Sequence, residues 1–197
     1  MARERDREDV RRERDDWRAG MPERDAAKLV FIDESGFNTK MTRLYGRSAR
    51  GERCVEHVPH GRWEASTFIA GLRLDRVDAP MLLEGAMNGD AFEVYVRDVL
   101  APTLAPGDVV ICDNLNVHKN HAAREAIEAR GATLEFLPRY SPDMNPIEQL
   151  FSKLKAVVRR AMPECFDEIC AALKEALAAV TIHECANYLS NAGYGPT

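Results

Sequence analysis

The sequence contains no long apolar run and begins with charged residues, and both features narrow the class of protein. No stretch approaches the roughly 18 consecutive apolar residues that a membrane-spanning helix needs. The first twenty residues are charged rather than apolar, so no secretory signal peptide is indicated. A cytoplasmic protein that does not associate with a membrane is therefore expected.

Paired cysteines are also lacking. The five cysteines are odd in number, and none has the C-x-x-C spacing of a zinc site. Cys165, Cys170, His183 and Cys185 lie close together in sequence. Because their flanks have the periodicity of amphipathic helices, buried cysteines are favoured over a metal site. A Gly-rich phosphate loop and a convincing Ser–His–Asp pattern are missing as well.

The sequence also lacks an overall excess of positive charge. The net charge is −5 and the sequence pI is about 5.6, which argues weakly against a nucleic-acid partner. The charge is unevenly distributed, however. Residues 36–62 carry six basic and two acidic residues, 6 − 2 = +4, whereas residues 161–197 carry one lysine and five acids, 1 − 5 = −4. The basic segment can still contact DNA locally.

Apolar patterning predicts one globular domain with alternating strands and helices. Hydrophobic residues make up 45% of the 197 residues. Short apolar runs predict strands, and apolar residues at helical spacing predict helices. Their order is three strands, helix, strand, helix, strand and two helices, which favours a mixed five-stranded sheet with helices on its faces. The predicted strands are residues 28–33, 66–74, 80–86, 108–112 and 133–137, and the predicted helices are residues 91–100, 118–130, 146–160 and 166–180.

Three acids stand at the ends of these elements. Asp33 closes the first apolar run, Asp113 closes the fourth, and Glu148 opens the helix after the fifth. If the first and fourth strands are neighbours, both aspartates project from the same edge of the sheet. Carboxylates on a rigid frame are the ligands that Mg²⁺ or Mn²⁺ prefers, and two such ions can promote phosphodiester displacement. Any one of these acids alone would be better interpreted as a solvated loop residue.

Three sequence blocks around these acids resemble a known family. They are FIDESG at residues 31–36, the segment CDN…HK ending at Lys119, and YSPDMNPIE at residues 140–148. They resemble the signature blocks of bacterial insertion-sequence 630-type transposases, which are relatives of the mariner elements. Residues 114–147 separate the second acid from the third, an interval typical of that superfamily. The resemblance covers nearly the whole chain after about residue 17.

The resemblance implies an α/β, ribonuclease-H-like fold and cut-and-paste transposition. It implies a catalytic triad of Asp33, Asp113 and Glu148 that holds Mg²⁺ or Mn²⁺, with two ions. Its partners would be transposon terminal inverted repeats and target DNA, bound by a homodimer. We expect a charged N-terminal arm at residues 1–24, a DDE catalytic domain at 25–162 and a C-terminal helical appendage at 163–197. Such transposases carry helix-turn-helix domains before the core, so a truncated copy or a frameshift partner is expected.

Other residues beside the triad are candidates for supporting roles. Glu34 follows Asp33 in a strand and therefore points to the opposite face, so it is not assigned to the metal. Supporting roles at the site are expected for Asn114, His118 and Asn145. DNA contacts are expected for Arg139, Tyr140, Lys155 and Arg159, although a solvated basic face explains the last two equally well.

Two alternatives to a transposase core remain open. The first is a simple nuclease of the ribonuclease-H class, which would nick DNA without joining it. The second is a decayed fragment that persists as a dimerising or DNA-coating module. One site residue also has an alternative interpretation, because Asn145 through Glu148 match a helix capping box with Asn145 as the N-cap. In that case Glu148 would only cap the helix.

Overall fold

The computed structural model describes residues 6–43, 45–55, 62–115, 118 and 120–195. Residues 1–5 of the predicted charged arm, and Lys119 of the second sequence block, lie outside them. The strands are β1 (Leu29–Asn38), β2 (Ala65–Leu72), β3 (Val77–Glu84), β4 (Val109–Cys112) and β5 (Thr133–Phe136). The α-helices are α1 (Glu8–Gly20), α2 (Gly89–Val94), α3 (His121–Glu128), α4 (Ile147–Ala161), α5 (Phe166–Ala178) and α6 (Ile182–Asn191).

The five strands form one mixed sheet in the order β3-β2-β1-β4-β5. β1 pairs antiparallel with β2 and parallel with β4, and β4 pairs parallel with β5. The predicted mixed five-stranded sheet is therefore confirmed, as is the adjacency of the first and fourth strands. That adjacency matters most, because it brings the chain just after Cys112 beside the middle of β1.

Both faces of the sheet are covered, as the alternation along β1 requires. Phe31 and Phe37 point into a core shared with α4, α5 and α6. Val30 and Ile32 point into a second core with α2 and α3. Burial on both sides explains why the first and fourth runs are continuously apolar.

The first strand is longer than predicted. The sequence predicts that it ends at Asp33, because Glu34, Ser35 and Gly36 are typical of a turn, but β1 continues to Asn38. The reason is tertiary, because residues 34–38 pair with Ile69 through Ala65 of the long strand β2. Asp33 therefore lies inside β1, at the level where its other neighbour, β4, stops.

The helices agree with the sequence apart from one omission. The sequence offers either Asn88 or Asp90 as the N-cap of α2. Asn88 caps it, accepting from the backbone N–H of Ala91 at 2.9 Å, and the helix continues to Leu100 in π geometry. α6 was missed. Its start carried a signal, since Thr181 and Glu184 form a reciprocal capping box of the T-x-x-E type.

The N-terminal helix packs against the core, whereas the alternating charges of residues 3–18 predict a solvated helix. In α1, Val10 and Arg14 are buried, and the indole N–H of Trp17 donates to the Tyr194 hydroxyl at 2.8 Å. Side chains of α5 and α6 likewise belong to the core that contains Phe31. The boundaries after residues 24 and 162 stay predictions, but the described parts of all three segments share one core.

The cysteines are only partly as expected. Cys185 is buried, but Cys165 and Cys170 are exposed, so the interpretation of the group as buried cysteines is wrong for two of them. Cys165 is the residue before α5, at its N-cap position, and Cys170 lies on the exposed side of that helix.

Among the described residues, no helix is long and apolar enough to cross a membrane.

A buried arginine, Arg73, forms ion pairs with Asp78 of β3 and with Asp108, just before β4. These pairs make the stability of the protein depend on pH. Arg73 donates to Asp78 at 2.6 Å and to Asp108 at 2.7 Å, and the N–H of Ala105 also donates to Asp108. Burial by itself would raise the pKa of Asp108, but the hydrogen bonds from Arg73 and Ala105 lower it overall. Its contribution is therefore present above the unfolded pKa of about 3.9 and is lost as pH falls through the folded value.

We accordingly expect Asp108→Asn to destabilise the protein by about 3 kcal/mol at pH 7. The difference from wild type should shrink as the pH falls from about 4, where the unfolded carboxyl takes up its proton, through the lower pKa of the folded state. Urea unfolding at pH 7 and pH 3 measures both values. The exposed Asp75→Asn serves as the control, and a pH-independent difference for Asp108→Asn would contradict the charge-based explanation.

Candidate active site

The three predicted acids line one cavity. Its volume is about 330 Å³, and Asp33, Asp113 and Glu148 contribute to its wall. The remaining lining residues come from the segment after β4 and the loop before α4: Asn114, Leu115, Leu137, Pro138, Arg139, Tyr140, Ser141, Pro142 and Asn145. Four of the predicted supporting or DNA-contacting residues, Asn114, Arg139, Tyr140 and Asn145, are thus at this cavity.

Asp33 is held in one orientation by two hydrogen bonds. One carboxylate oxygen accepts from the backbone N–H of Glu34 at 2.8 Å, and the other accepts from the Asn145 side-chain amide at 2.8 Å. Burial, followed by the nearby charge of Asp113, raises the pKa of Asp33 to about 7. The charges of Glu34 and Glu148 act in the same direction. A desolvated carboxylate beside other carboxylates favours a bound cation, because the cation removes their mutual repulsion.

Asp113 is fixed from behind by His118. The Nδ1 of His118 lies 2.6 Å from an Asp113 carboxylate oxygen, and its Nε2 lies 2.9 Å from both carboxylate oxygens of Glu34. The imidazole is buried and packs on the Phe92 ring, with centroids 4.6 Å apart. Burial alone would lower the pKa of His118, but hydrogen bonds with Asp113, Cys112 and Glu34 raise it to about 12. A doubly protonated ring therefore bridges the two carboxylates.

This bridge explains the place of Glu34. As predicted, it points away from Asp33, because neighbouring residues of a strand face opposite sides. Its carboxylate reaches His118, which in turn reaches Asp113. The two aspartates of the cavity are thus connected through the peptide between residues 33 and 34 and one imidazole. His118 is a positioning residue for Asp113, and Glu34 is the partner that sequence reasoning left without a role.

Glu148 does not cap its helix. The backbone N–H of Asn145, which a capping box would direct to Glu148, donates to the carbonyl of Pro142 at 3.1 Å. The side chain of Asn145 donates to Asp33 instead of capping α4, and Pro146 occupies the N-cap position. The capping-box interpretation is therefore wrong. Within the described part of the chain, the exposed Glu148 carboxylate has no hydrogen-bond partner and faces the cavity.

The donor set fits a hard divalent cation. Three carboxylates border one cavity, and the side-chain oxygen of the buried Asn145 has no hydrogen-bond partner. Oxygen donors of this kind suit Mg²⁺ or Mn²⁺. Among the residues described, no three ligand-type side chains are already close enough to hold an ion. Their carboxylates are not gathered around one point, because Asp33 and Asp113 accept hydrogen bonds from protein donors and no hydrogen bond to a described residue holds the Glu148 side chain.

The loop before α4 is anchored by α1, through a residue that the sequence gave no reason to select. The Arg14 guanidinium donates to the carbonyl of Tyr140, to the Ser141 hydroxyl at 2.6 Å and to Asp143 at 2.7 Å. Arg14 is only 3% exposed. Tyr140 has a φ of 56°, a left-handed conformation that is costly for a residue with a side chain. The hydrogen bonds from Arg14 to the Tyr140 carbonyl and to Ser141 offset the free-energy cost of this backbone conformation.

The two predicted DNA-contacting residues of this loop differ in availability. The Tyr140 side chain is exposed at the rim of the cavity. Arg139 also lines the cavity, but its guanidinium contacts Glu13 at 2.7 Å and Asp9 at 2.9 Å. The hydrogen bonds with Glu13 and Asp9 raise the pKa of Arg139 above its ordinary value. DNA would have to compete with these two acids of α1 for Arg139.

The other two predicted DNA-contacting residues lie outside the cavity. Lys155 and Arg159 line a separate groove, together with the end of β1 and the residues that follow it. They follow Glu148 on α4 by seven and eleven residues, which places them on the same face of the helix. The sequence therefore placed them correctly on the helix but did not show that they belong to a second concave surface.

Solved structures with the same fold are transposases. A crystal structure of the Mos1 strand transfer complex superposes with a TM-score of 0.73 at 17% identity, covering 98% of this chain and 60% of that one. The catalytic domain of the Mos1 mariner transposase superposes with a TM-score of 0.67 at 16% identity, covering 98% and 90%. The chain thus spans 60% of the length of the full Mos1 chains. No curated protein sequence is significantly similar.

These similarities confirm the predicted ribonuclease-H-like fold, and at such low identity the structural likeness supports the fold alone. The family comes from the sequence. The profile of the DDE superfamily endonucleases matches residues 28–170, a range that includes all three acids of the cavity and most of the chain. The chain belongs to the DDE superfamily endonucleases.

Proposed function

We propose that this chain is the catalytic domain of a mariner-superfamily DNA transposase of the bacterial insertion-sequence 630 type. The single observation that carries the proposal is the convergence of Asp33, Asp113 and Glu148 on one cavity, from three elements far apart in sequence. The family match and the likeness to Mos1 support it. The three sequence blocks that resemble the insertion-sequence 630 type contain these same three acids.

The cofactor in this proposal is Mg²⁺ or Mn²⁺, with two ions, held by Asp33, Asp113 and Glu148. Mos1 paired-end complexes have been solved with Mn and with Mg, which supports the choice of metal. When bound, such ions activate an attacking oxygen and stabilise the leaving oxygen of a phosphodiester. Each of the three carboxylates supplies a negatively charged oxygen on a frame that the sheet and α4 keep in place.

The chain's own side chains prepare the site for that chemistry. Asn145 orients Asp33, and His118 orients Asp113. Asn114 lies beside Asp113 on the cavity wall, where its amide can hydrogen-bond a phosphate oxygen. Tyr140, exposed at the rim, is suited to contact the strand being cut.

The partners in this proposal are transposon terminal inverted repeats and target DNA, bound by a homodimer. Solved Mos1 relatives include a strand transfer complex, a pre-cleavage transpososome and a paired-end complex with the left transposon end. The alternative of a nuclease that does not join DNA differs in its products. A pre-cut transposon end from the parent element should be joined covalently to a target plasmid, whereas a nuclease leaves nicks alone.

The third acid gives the sharpest test of the proposal. Glu148→Gln is expected to leave the free energy of unfolding within about 0.5 kcal/mol of wild type, as is usual for exposed positions. The glutamine is uncharged and a poor metal ligand, so Mg²⁺-dependent nicking of supercoiled plasmid should be lost. Thermal melts and nicking assays measure the two effects side by side.

The matched control is Glu175→Gln, an exposed glutamate on α5 far from the cavity. It should melt and nick DNA like wild type. A Glu148→Gln protein that nicks plasmid at the wild-type rate would remove Glu148 from the triad and with it the proposed function.

A further inference from the structure

Of the described residues that line the acid cavity, one is a cation, and two acids of α1 neutralise it. That cation is Arg139, which shares the cavity wall with the three carboxylates. Its Nη2 donates to Glu13 at 2.7 Å and to Asp9 at 2.9 Å, and its Nε donates to the second carboxylate oxygen of Glu13 at 3.3 Å. A phosphodiester that approaches the cavity therefore meets negative charge while Arg139 is already paired.

The contact with Glu13 has the geometry of a guanidinium–phosphate contact. Two nitrogens of Arg139 face two oxygens of one carboxylate, which is the two-point arrangement by which arginine also binds phosphate. The oxygens of Asp9 and Glu13 thus occupy the donors that a phosphate would need. Glu13 also lines a depression that shares Asn114 and Pro138 with the cavity, so its carboxylate lies at the border of the cavity.

The contact can be broken without moving α1. The side chains of Arg139, Glu13 and Asp9 are between 40% and 45% exposed, and exposed ion pairs contribute little to stability. The helix itself is held by the buried Arg14 through its contacts with the loop before α4. Asp9 also pairs with Arg7 at 2.9 Å, so it keeps a cation when Arg139 leaves. A polyanion can therefore take Arg139 from the two acids by rotation of exposed side chains alone.

We propose that Asp9 and Glu13 form an autoinhibitory contact, in which two carboxylates of α1 hold Arg139 in the place of a DNA phosphate. DNA must displace both acids to pair with Arg139, so the free protein has a lower affinity for DNA than it would have with Arg139 unpaired. The inference rests on the proposed function, because it takes DNA as the ligand of the cavity. A contact that only attached α1 to the core would leave the affinity for DNA unchanged when the acids are removed.

The test measures DNA binding without cleavage. A fluorescein-labelled duplex of random sequence is titrated with the full chain in EDTA at low salt. The double variant Asp9→Asn/Glu13→Gln is expected to raise the affinity about fivefold, because DNA no longer has to displace two exposed ion pairs. Thermal melts establish that this protein and the variants below are folded.

The matched control is Glu8→Gln/Asp15→Asn, which removes the same two charges from the same helix. Glu8 pairs with Arg12 and Asp15 pairs with Arg18, and none of these four residues lines the cavity. The affinity of the control for DNA should rise by less than half as much. An equal rise would overturn the proposal, because it would show that the acids of α1 act on DNA only through their total charge.

Arg139 itself provides a second comparison. In an Arg139→Gln background, the change Asp9→Asn/Glu13→Gln is expected to raise the affinity no more than the control change does, because the cavity cation that the acids hold is gone. The same fivefold gain with and without Arg139 would contradict the proposed contact.

Plasmid nicking with Mg²⁺ separates inhibition of binding from an effect on cleavage. The Asp9→Asn/Glu13→Gln protein should reach its half-maximal rate at a lower DNA concentration than wild type. At saturating DNA the two rates should be equal, because DNA has then displaced the acids in both proteins.

The outcomes distinguish this inference from the proposed function. If wild type binds DNA and Asp9→Asn/Glu13→Gln binds it equally or more weakly, the autoinhibitory contact is overturned and the proposed function stands. If the variant gains affinity but neither protein nicks DNA, the contact is supported and the proposed function is contradicted. If none of the proteins binds DNA, both fail.

Discussion

Asp33→Asn is expected to abolish metal-dependent nicking of DNA while the protein becomes more stable in the absence of metal. The loss of activity should exceed about 100-fold, the upper end for residues that merely support a metal ligand. Asparagine retains an oxygen that can accept from Glu34 N–H or from Asn145, so the local structure has a near-isosteric replacement. Plasmid nicking with Mg²⁺ measures the activity.

The gain in stability follows from the charge of Asp33. Burial and the neighbouring carboxylate of Asp113 raise its pKa to about 7 in the folded protein. The unfolded chain, with a pKa of about 3.9, releases this proton first as pH rises, so the wild-type protein loses stability between about pH 4 and pH 7. The asparagine variant has no proton to lose. In EDTA its Tm should exceed that of wild type at pH 8, and the gain should vanish near pH 4.

Asp113→Asn is expected to lose nicking as well, and Asp15→Asn, an exposed aspartate of α1, should behave like wild type in both assays. Added Mg²⁺ should raise the Tm of wild type and fail to do so for Asp33→Asn. Near-wild-type nicking by either cavity variant would contradict the assignment of the triad.

Arg14→Met is expected to cost about 3 kcal/mol of stability and to impair the site from a distance. The methionine keeps part of the aliphatic stem but leaves Asp143 and the Ser141 hydroxyl without the buried guanidinium. Removing one partner of a buried pair costs about 3–5 kcal/mol, and the partial exposure of Asp143 places the value at the lower end. Urea unfolding measures the loss.

The effect on activity distinguishes anchoring of the site loop from general destabilisation. Arg14 fixes Tyr140 and Ser141, and the same loop continues to Asn145 and α4. The Mg²⁺ concentration for half-maximal nicking should therefore rise for Arg14→Met at a temperature where it is fully folded. Arg12→Met, on the exposed side of α1, should change neither stability nor the Mg²⁺ requirement. An unchanged Mg²⁺ requirement for Arg14→Met would show that α1 only contributes to folding.

Much of the fold could be predicted because local patterns and tertiary packing agree. The apolar runs before Asp33 and Asp113 are buried on both faces of the sheet, and such runs are recognisable without a structure. β1 was predicted too short because its second half contains Glu34, Ser35 and Gly36, which read as a turn. Pairing with β2 makes these residues a strand, and no local signal reports a partner thirty residues away.

The site was predictable to the extent that its residue types are chemically demanding. Carboxylates at element ends, followed by the N-P-x-E block, identified Asp33, Asp113 and Glu148 as candidates, and their roles stay predictions. The capping box failed because the Asn145 NH2 donates to Asp33, and in that orientation the Asn145 side-chain oxygen accepts no backbone N–H of α4. The Asn145 amide bonds to Asp33, a residue that comes beside it only in the folded chain. A local motif cannot report this competition.

By itself, the sequence determined the order of the strands and of the helices up to α5, the mixed sheet and three candidate acids, since these depend on periodicity and residue chemistry within short windows. Tertiary structure decided which partners the polar side chains take. Glu34 pairs with His118, and Arg14 hydrogen-bonds the loop before α4. Arg139 forms ion pairs with the acids of α1. Lys40, Lys155 and Arg159 lie together in one groove. The physical reason is that charge and hydrogen-bond pairing depend on distances of a few ångströms between residues far apart in sequence, which only the packed chain establishes.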